Sequence, residues 1–222
     1  VELVIFDCDG VLVDSEVISN RVLAAMLTEQ GLPTTLAQAR REYQGLLLED
    51  VSARAAAKLG RSLPADWLAR YEAARSDAFR HELRPIAAVA ETVQALLVAG
   101  LAVCVASQGK LEKTRLSLAL TGLDHLFPEH VRFSAQSVAN GKPAPDLFLH
   151  AAASMGTKPK RCVVVEDTPS GVLAAVAAGM RAIGYSADSD EHALAAAGAE
   201  PMRTLDELPR LLALSANERG VR

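Results

Sequence analysis

Four short stretches of this chain hold side chains that can do chemistry. The first, Phe6-Asp7-Cys8-Asp9-Gly10-Val11-Leu12-Val13-Asp14-Ser15, places two carboxylates two residues apart at the end of an apolar run. Such a pair can divide labour: one acid attacks or binds a cation, the other moves protons. The plainer reading is a turn built from Asp and Gly. A calcium-binding EF-hand loop is excluded, because its Gly should follow a third ligand and a Glu should close it. The second stretch, Ser107-Gln108-Gly109-Lys110, opens a helix, where a hydroxyl and free amides attract an anion, or where Ser107 is simply the N-cap. The third is Asn140-Gly141-Lys142-Pro143-Ala144-Pro145-Asp146. Its prolines stiffen the turn and can hold the Lys142 ammonium at a fixed point, unless Lys142 is an ordinary solvent-facing turn lysine. It is no phosphate-binding P-loop, since no Gly stands five residues before Gly141 and Pro follows Lys142. The fourth is Glu166-Asp167-Thr168-Pro169-Ser170-Gly171. Asp167 could cap a helix starting at Thr168, but two adjacent acids after an apolar strand invite a hard, oxygen-seeking cation such as Mg²⁺.

The elements that position these stretches are legible from the apolar pattern. Val1–Phe6, Leu101–Ala106, Cys162–Val165 and Arg181–Tyr185 read as buried strands, with Val131–Ser134 a weaker one. Helical spacing covers Leu111 to Leu120, Leu147 to Met155 and Val172 to Ala178, stopped by Gly122, Gly156 and Gly179. Alternating strand and helix predicts a parallel sheet joined by right-handed crossovers. In such sheets ligands bind beyond the carboxyl ends of the strands, where all four stretches fall. One region breaks the alternation. From Ser15 to about Leu83 the chain is Ala-rich and strandless, with a helix capped by Ser15 and ending at Gly31, then helical runs over Leu48–Leu59 and Pro64–Glu82. This predicts a helical cap, residues 15–83, inserted into an α/β core made of residues 1–14 and 84–222, with only the tail after Ala213 loose.

Composition narrows the function classes. The chain has 222 residues, 23 basic and 27 acidic, and is 50% hydrophobic. It can bury a substantial core and is not disordered. No apolar run approaches the ~18 residues of a membrane helix, and the start reads as a strand rather than a basic signal segment. A mildly acidic surface argues against nucleic acid as a partner. Cys8, Cys104 and Cys162 lie in or beside strands, form no metal-binding pattern and read as buried small hydrophobes. The five histidines are scattered without metal-like pairing. A cytoplasmic protein, monomeric or weakly dimeric, is expected.

Asp-x-Asp-Gly, then Ser, then Lys-Pro, then Glu-Asp, each at a strand end and in that order, resembles the haloacid dehalogenase-like (HAD) superfamily. The resemblance spans essentially the whole chain and is most specific in Phe6–Ser15 and Val165–Gly171. It points to the branch with a helical cap between the first two motifs, alongside β-phosphoglucomutase and sugar-phosphate phosphatases. The resemblance implies a doubly wound, mostly parallel α/β fold with an all-helical cap. It implies Asp7 as the nucleophile that becomes an aspartyl-phosphate and Asp9 as the proton donor and acceptor. Mg²⁺ would be held by Asp7, the Asp9 carbonyl and Asp167, with Glu166 direct or through water. Ser107 and the Gln108 amide would hold phosphoryl oxygens while Lys142 offsets charge. The cap, with Ser15, Gln44 and Gly45 as candidate contacts, would exclude water and meet the substrate, a small-molecule phosphate ester.

Departures from the family pattern separate the subclasses. Mutases of this branch carry a basic cap loop, roughly Lys-Gly-x-x-Arg, whereas Gln44-Gly45-Leu46-Leu47-Leu48 stands here. Ser19 falls where those mutases have a His. A neutral loop holds a second phosphate poorly, which favours a phosphatase of sugar phosphates or sugar-acid phosphates, 6-phosphogluconate being one candidate and a nucleotide monophosphate another. Dehalogenases lack the second aspartate and use no Mg²⁺. A phosphonate hydrolase needs a Schiff-base lysine, and the only lysine of the cap, Lys58, lies within a helix. A phospho-accepting receiver domain would be near ~120 residues and capless, with its aspartate on a later strand.

Overall fold

The computed structural model describes residues 1–44 and 46–214. Gly45 and the tail expected to be loose, from residue 215 onward, lie outside the described residues. Six strands, β1 (Leu3–Phe6), β2 (Ala102–Ser107), β3 (Arg132–Ser134), β4 (Cys162–Glu166), β5 (Arg181–Tyr185) and β6 (Glu200–Met202), form one parallel sheet. Their order is β3-β2-β1-β4-β5-β6. The central strands are buried throughout, which is why they read as unbroken apolar runs rather than alternating ones. Apolar side chains from both sheet faces form the larger core, with Phe6 edge-on to Phe127 at 6.0 Å. No helix among the described residues is long and apolar enough to cross a membrane.

The topology makes the crevice. The chain starts at the centre of the sheet, builds outward to β3, then returns to the other side of β1 with β4, so the order reverses between β1 and β4. Phe6 stands opposite both Val105 and Val165. One step further along, Asp7, Ala106 and Glu166 therefore lie at one level.

The helices are α1 (Glu16–Glu29), α2 (Leu36–Tyr43), α3 (Leu48–Leu59), α4 (Trp67–Glu82), α5 (Val89–Val98), α6 (Leu111–Leu120), α7 (Asp146–Ser154), α8 (Pro169–Ala177), α9 (Glu191–Ala196) and α10 (Leu208–Leu211). The expected left-handed exits occur at Gly122, Gly156 and Gly179, with φ of 70°, 66° and 73°. Five elements, α2, α5, α9, α10 and β6, escape the apolar pattern, and three of them show why. β6 is a short edge strand of Glu-Pro-Met, where proline is tolerated because that edge is unpaired. α5 starts from Ala88, which makes no capping hydrogen bond. α2 buries only Ala39 and Tyr43, and its start shows instead in a capping box between Thr35 and Gln38.

Helices α1–α4 sit between β1 and α5 and enclose a second apolar cluster that includes Leu27, Tyr43, Trp67 and Tyr71. The two passages into and out of this insertion are stitched together. Val13 bridges Pro85, the Asp14 amide donates to the Arg84 carbonyl at 2.9 Å, and Ile86 donates to Leu12 at 3.0 Å. Trp67 is fully buried and stacks on Tyr71 with centroids 5.9 Å apart. Trp67→Ala is expected to destabilise this cluster by about 3 kcal/mol or more. Amide exchange should quicken across α1–α4 and remain slow in β1 and β4.

Candidate active site

Asp7 is the first residue beyond β1 and is still held by the sheet, its amide donating to the Val165 carbonyl at 2.9 Å. Only 6% of it is exposed. The turn that follows depends on Gly10, whose φ of 75° suits glycine and whose missing Cβ leaves room for Asp167. A Cβ there would lie 2.1 Å from Asp167 Oδ2.

Lys142 is a buried ligand of acids, not a turn lysine facing water. Its Nζ donates to Asp7 Oδ1 at 2.5 Å, to Glu166 Oε1 at 2.5 Å and to the Ala106 carbonyl at 3.3 Å. The ammonium also lies 5.1 Å from the centre of the Phe148 ring. Its loop is pinned at both ends: Asn140 donates to Asp146, and the Lys142 amide donates to Gln108 Oε1 at 3.0 Å. Gly141 permits this, since a Cβ would meet the Gln108 amide nitrogen at 2.5 Å. Gln108 thus braces Lys142 with its side chain.

Glu166 uses both carboxylate oxygens within the protein. Oε1 takes Lys142, and Oε2 accepts from the amides of Asp167 and Thr168 and from the Thr168 hydroxyl at 3.1, 3.0 and 2.9 Å. Thr168, not Asp167, caps α8, accepting from the Gly171 amide. Asp167 is thereby released from capping, and its buried Oδ1 has no hydrogen-bond partner.

Asp9 faces a separate cation. Lys113, from the first turn of α6, pairs with Asp9 Oδ1, and Ser15 donates to the same oxygen at 2.5 Å. Ser15 therefore does not cap α1 with its side chain, contrary to expectation: the hydroxyl serves Asp9 instead. Ser107, likewise, is not an N-cap. It ends β2 fully buried, its Oγ accepting from the Gly109 amide at 3.1 Å, while α6 begins only after Lys110.

Charge sorts these acids into two kinds. Burial, opposed by Lys142 and reinforced by Glu166 and Asp9, pushes Asp7 up to about 7. Burial and the negative neighbours Glu166 and Asp7 hold Asp167 well above the carboxylate range. Asp9 is partly buried, yet Lys113 and Ser15 keep it below its ordinary value. The Asp7–Asp167 side thus lacks positive charge, and an orphaned carboxylate oxygen points to what would supply it. Oxygen-only donors suit a hard divalent cation. Among the described residues no three Asp, Glu, His or Cys side chains converge as a cage. Asp7 and Asp167, two carboxylates with one oxygen unpartnered, would leave most of a cation's coordination to backbone oxygen and water.

Above these groups lies a cavity of about 330 Å³. Asp7, Asp9, Gln108, Lys142, Glu166 and Asp167 line its floor, and Gln44, Leu46, Leu47, Leu48, Tyr71 and Arg75 line its roof. Ser15 stands behind Asp9 and is not part of the wall, and Gly45 lies outside the described residues. Sequence reasoning misses Lys113, Arg75 and Glu16, all of which line the cavity. Two had a signal. Lys113 puts a cation in the first turn of a helix, against the dipole, and Arg75 interrupts the buried row Trp67, Tyr71, Phe79. The thiols behave as expected, all three being free and buried.

Comparison with known proteins accords with this geometry. The model of the haloacid dehalogenase-like hydrolases matches residues 4–185. The chain is 30% identical over 214 residues to 6-phosphogluconate phosphatase of Escherichia coli K12, covering 95% of this chain and 94% of that one. It is 30% identical over 181 residues to hexitol phosphatase B of the same organism, covering 81% of each. A HAD family hydrolase from Deinococcus radiodurans, solved with bound phosphate and sodium, superposes with a TM-score of 0.78 at 33% identity, over 96% of this chain and 95% of that one. The chain belongs to the haloacid dehalogenase-like hydrolases and is a phosphatase of that family.

Gly171 offers a test of the packing, because a Cβ there would lie 1.9 Å from the Glu166 carboxyl carbon. Helix propensity alone favours alanine at this position. Gly171→Ala is nonetheless expected to lower stability by about 1–3 kcal/mol in urea denaturation, through overpacking against Glu166.

Proposed function

We propose that this phosphatase hydrolyses a small phosphorylated metabolite, a sugar phosphate or sugar-acid phosphate, with Mg²⁺ as cofactor and a phosphoryl group carried transiently on Asp7. One observation bears most of the weight: Asp7 is clamped by Lys142 at the sheet edge, beside an unpartnered Asp167 oxygen and across from Asp9. Asp7, Asp167 and the Asp9 carbonyl would hold Mg²⁺, with Glu166 acting through water because its own oxygens are engaged. The ion would neutralise charge on the phosphoryl oxygens.

The protein's own groups divide the remaining work. Lys142 fixes Asp7 Oδ1 and shares the negative charge of the incoming phosphoryl group. The free Asp7 oxygen attacks phosphorus as the ester P–O bond breaks, and Asp9 delivers a proton to the departing oxygen. Water then attacks phosphorus, Asp9 takes its proton, and the Asp7 carboxylate is regenerated with release of phosphate. Lys113 and Ser15 favour the carboxylate of Asp9, the form this second step requires. For the first step Asp9 must take up a proton as the negatively charged ester arrives beside it and raises its proton affinity. The Ser107 oxygen accepts the Gly109 amide, which leaves its proton free for a phosphoryl oxygen.

The phosphatase is favoured over a phosphosugar mutase by the roof of the cavity. Leu48 and Gln44 line it where a mutase would offer basic side chains, and Ser19 lines it in place of a histidine. The similarity to 6-phosphogluconate phosphatase and hexitol phosphatase B supports a substrate of sugar-acid or sugar-alcohol size.

Two outcomes are expected. Phosphate release from a panel of sugar, sugar-acid and nucleotide monophosphates should require Mg²⁺, cease with chelator and cease in Asp7→Asn. A folded, Mg²⁺-bound protein that releases phosphate from none of them, but isomerises a glucose phosphate, would establish the mutase. The second outcome concerns pH. Asp7 titrates near 7 in the folded protein against an ordinary 3.8, so its contribution to stability falls as pH rises from about 4 to about 7. Mg²⁺ relieves the ionised form, and the rise in Tm it produces should be larger at pH 8 than at pH 5.5. An equal rise at both would contradict the assignment of Asp7 to the metal.

A further inference from the structure

One buried cation of the cavity has no anion. Arg75 is 8% exposed, lies over the Tyr71 ring at 5.1 Å and the Phe79 ring at 6.0 Å, and leaves its buried Nε without a hydrogen-bond partner. Among the described residues it forms no ion pair. A guanidinium stays charged at any working pH, so burying it unpaired is costly unless something else supplies the partner.

Position says what that partner is attached to. The Lys113 ammonium lies 5.9 Å from the same Phe79 ring that Arg75 covers, and Lys113 is already paired with Asp9. Arg75 therefore belongs to the Asp9 end, where the leaving group departs, and not to the Lys142 end, where phosphoryl oxygens gather. At the Lys142 end Asp7, Glu166 and Asp167 outnumber the cation, whereas at the other end Lys113 is taken by Asp9 and Arg75 is left without an anion in contact among the described residues. Glu16, another carboxyl lining the cavity, accepts from Asn20 and makes no pair with Arg75.

We propose that Arg75 receives a carboxylate on the leaving group, making a phosphorylated sugar acid the preferred substrate over a phosphorylated polyol or neutral sugar. This rests on the phosphatase reading above. A planar guanidinium matches one carboxylate in charge and in bidentate geometry. A second phosphate would need another cation, and the neighbouring roof offers Gln44, Leu46, Leu47 and Leu48 instead. Packing against Tyr71 and Phe79 restricts the Arg75 side chain in advance, which limits the ordering lost on binding.

The test compares two esters of one length that differ at the far end. These are 6-phosphogluconate, with a carboxylate, and glucitol 6-phosphate, with a hydroxymethyl group. In the wild type kcat/KM should favour the acid by about 10- to 100-fold, mainly through KM, as expected for a charge-assisted bidentate contact. Arg75→Met, which preserves packing on the two rings, should bring the ratio close to one, and Arg75→Lys should leave it intermediate. A ratio unchanged in both variants, whether or not overall rates fall, would overturn the proposal, because a purely structural role lowers both esters alike. If the wild type releases phosphate from no ester of the panel, these two included, the phosphatase reading fails separately. Calorimetric titration of the same two compounds into wild type and Arg75→Met then reads the contact without turnover. Loss of the acid's advantage in the variant supports it, and an unchanged ratio overturns it.

Discussion

Asp7, Glu166 and Asp167 are buried side by side where β1 and β4 end, and much of the structure answers the charge they bring together. Carboxylates removed from water repel one another unless cations or amide dipoles stand between them. Lys142 lies between Asp7 and Glu166, and the start of α8 turns two amides and a hydroxyl onto Glu166. Neither reaches Asp167 Oδ1. That residue of uncompensated charge makes the site receptive to a metal ion. It also accounts for the loop glycines, because Gly10 and Gly171 stand where any side chain would intrude on Asp167 and Glu166.

In the proposed reaction the sheet and the insertion would handle different parts. Asp7, Glu166 and Asp167, assigned above to the phosphoryl centre, come from strand ends in fixed register and inherit the rigidity of the buried central strands. The groups assigned to the leaving group come from α1, α4 and the first turn of α6. Lys113 is a joint between the two, since it holds Asp9 of the core while lying against Phe79 of α4. Any shift of α4 would therefore be felt at Asp9 through Lys113, and in the proposed mechanism this would link substrate contact in the insertion to the proton-transferring carboxyl.

How much of this is legible in the sequence follows from which interactions are local. Strand ends are announced by apolar runs, so Asp7, Lys142, Glu166 and Asp167 could be placed in one crevice from order alone, whereas Ser107 lies fully buried outside the cavity wall. The left-handed glycines marked helix ends for the same reason: the backbone demand sits at one residue. Partners distant along the chain were not legible. Ser15 looks like an N-cap by local rule, and only the fold shows Asp9 within its reach. Glu166 and Asp167 look alike in sequence, yet one is saturated by Lys142 and the α8 terminus while the other is left open. Arg75 did carry a sign, a charge within an otherwise apolar helical row, but the meaning of that sign depends on which cavity the row borders.

Asp7, as the proposed carrier of phosphate, is the group on which the mechanism depends. Its most direct test is rapid acid quenching during turnover with the preferred ester and Mg²⁺, followed by mass spectrometry of the peptide containing Asp7. One added phosphoryl group on Asp7, appearing and decaying in step with phosphate release, is the predicted result. Steady phosphate release with Asp7 unmodified throughout, under conditions that preserve acyl phosphates, would contradict it.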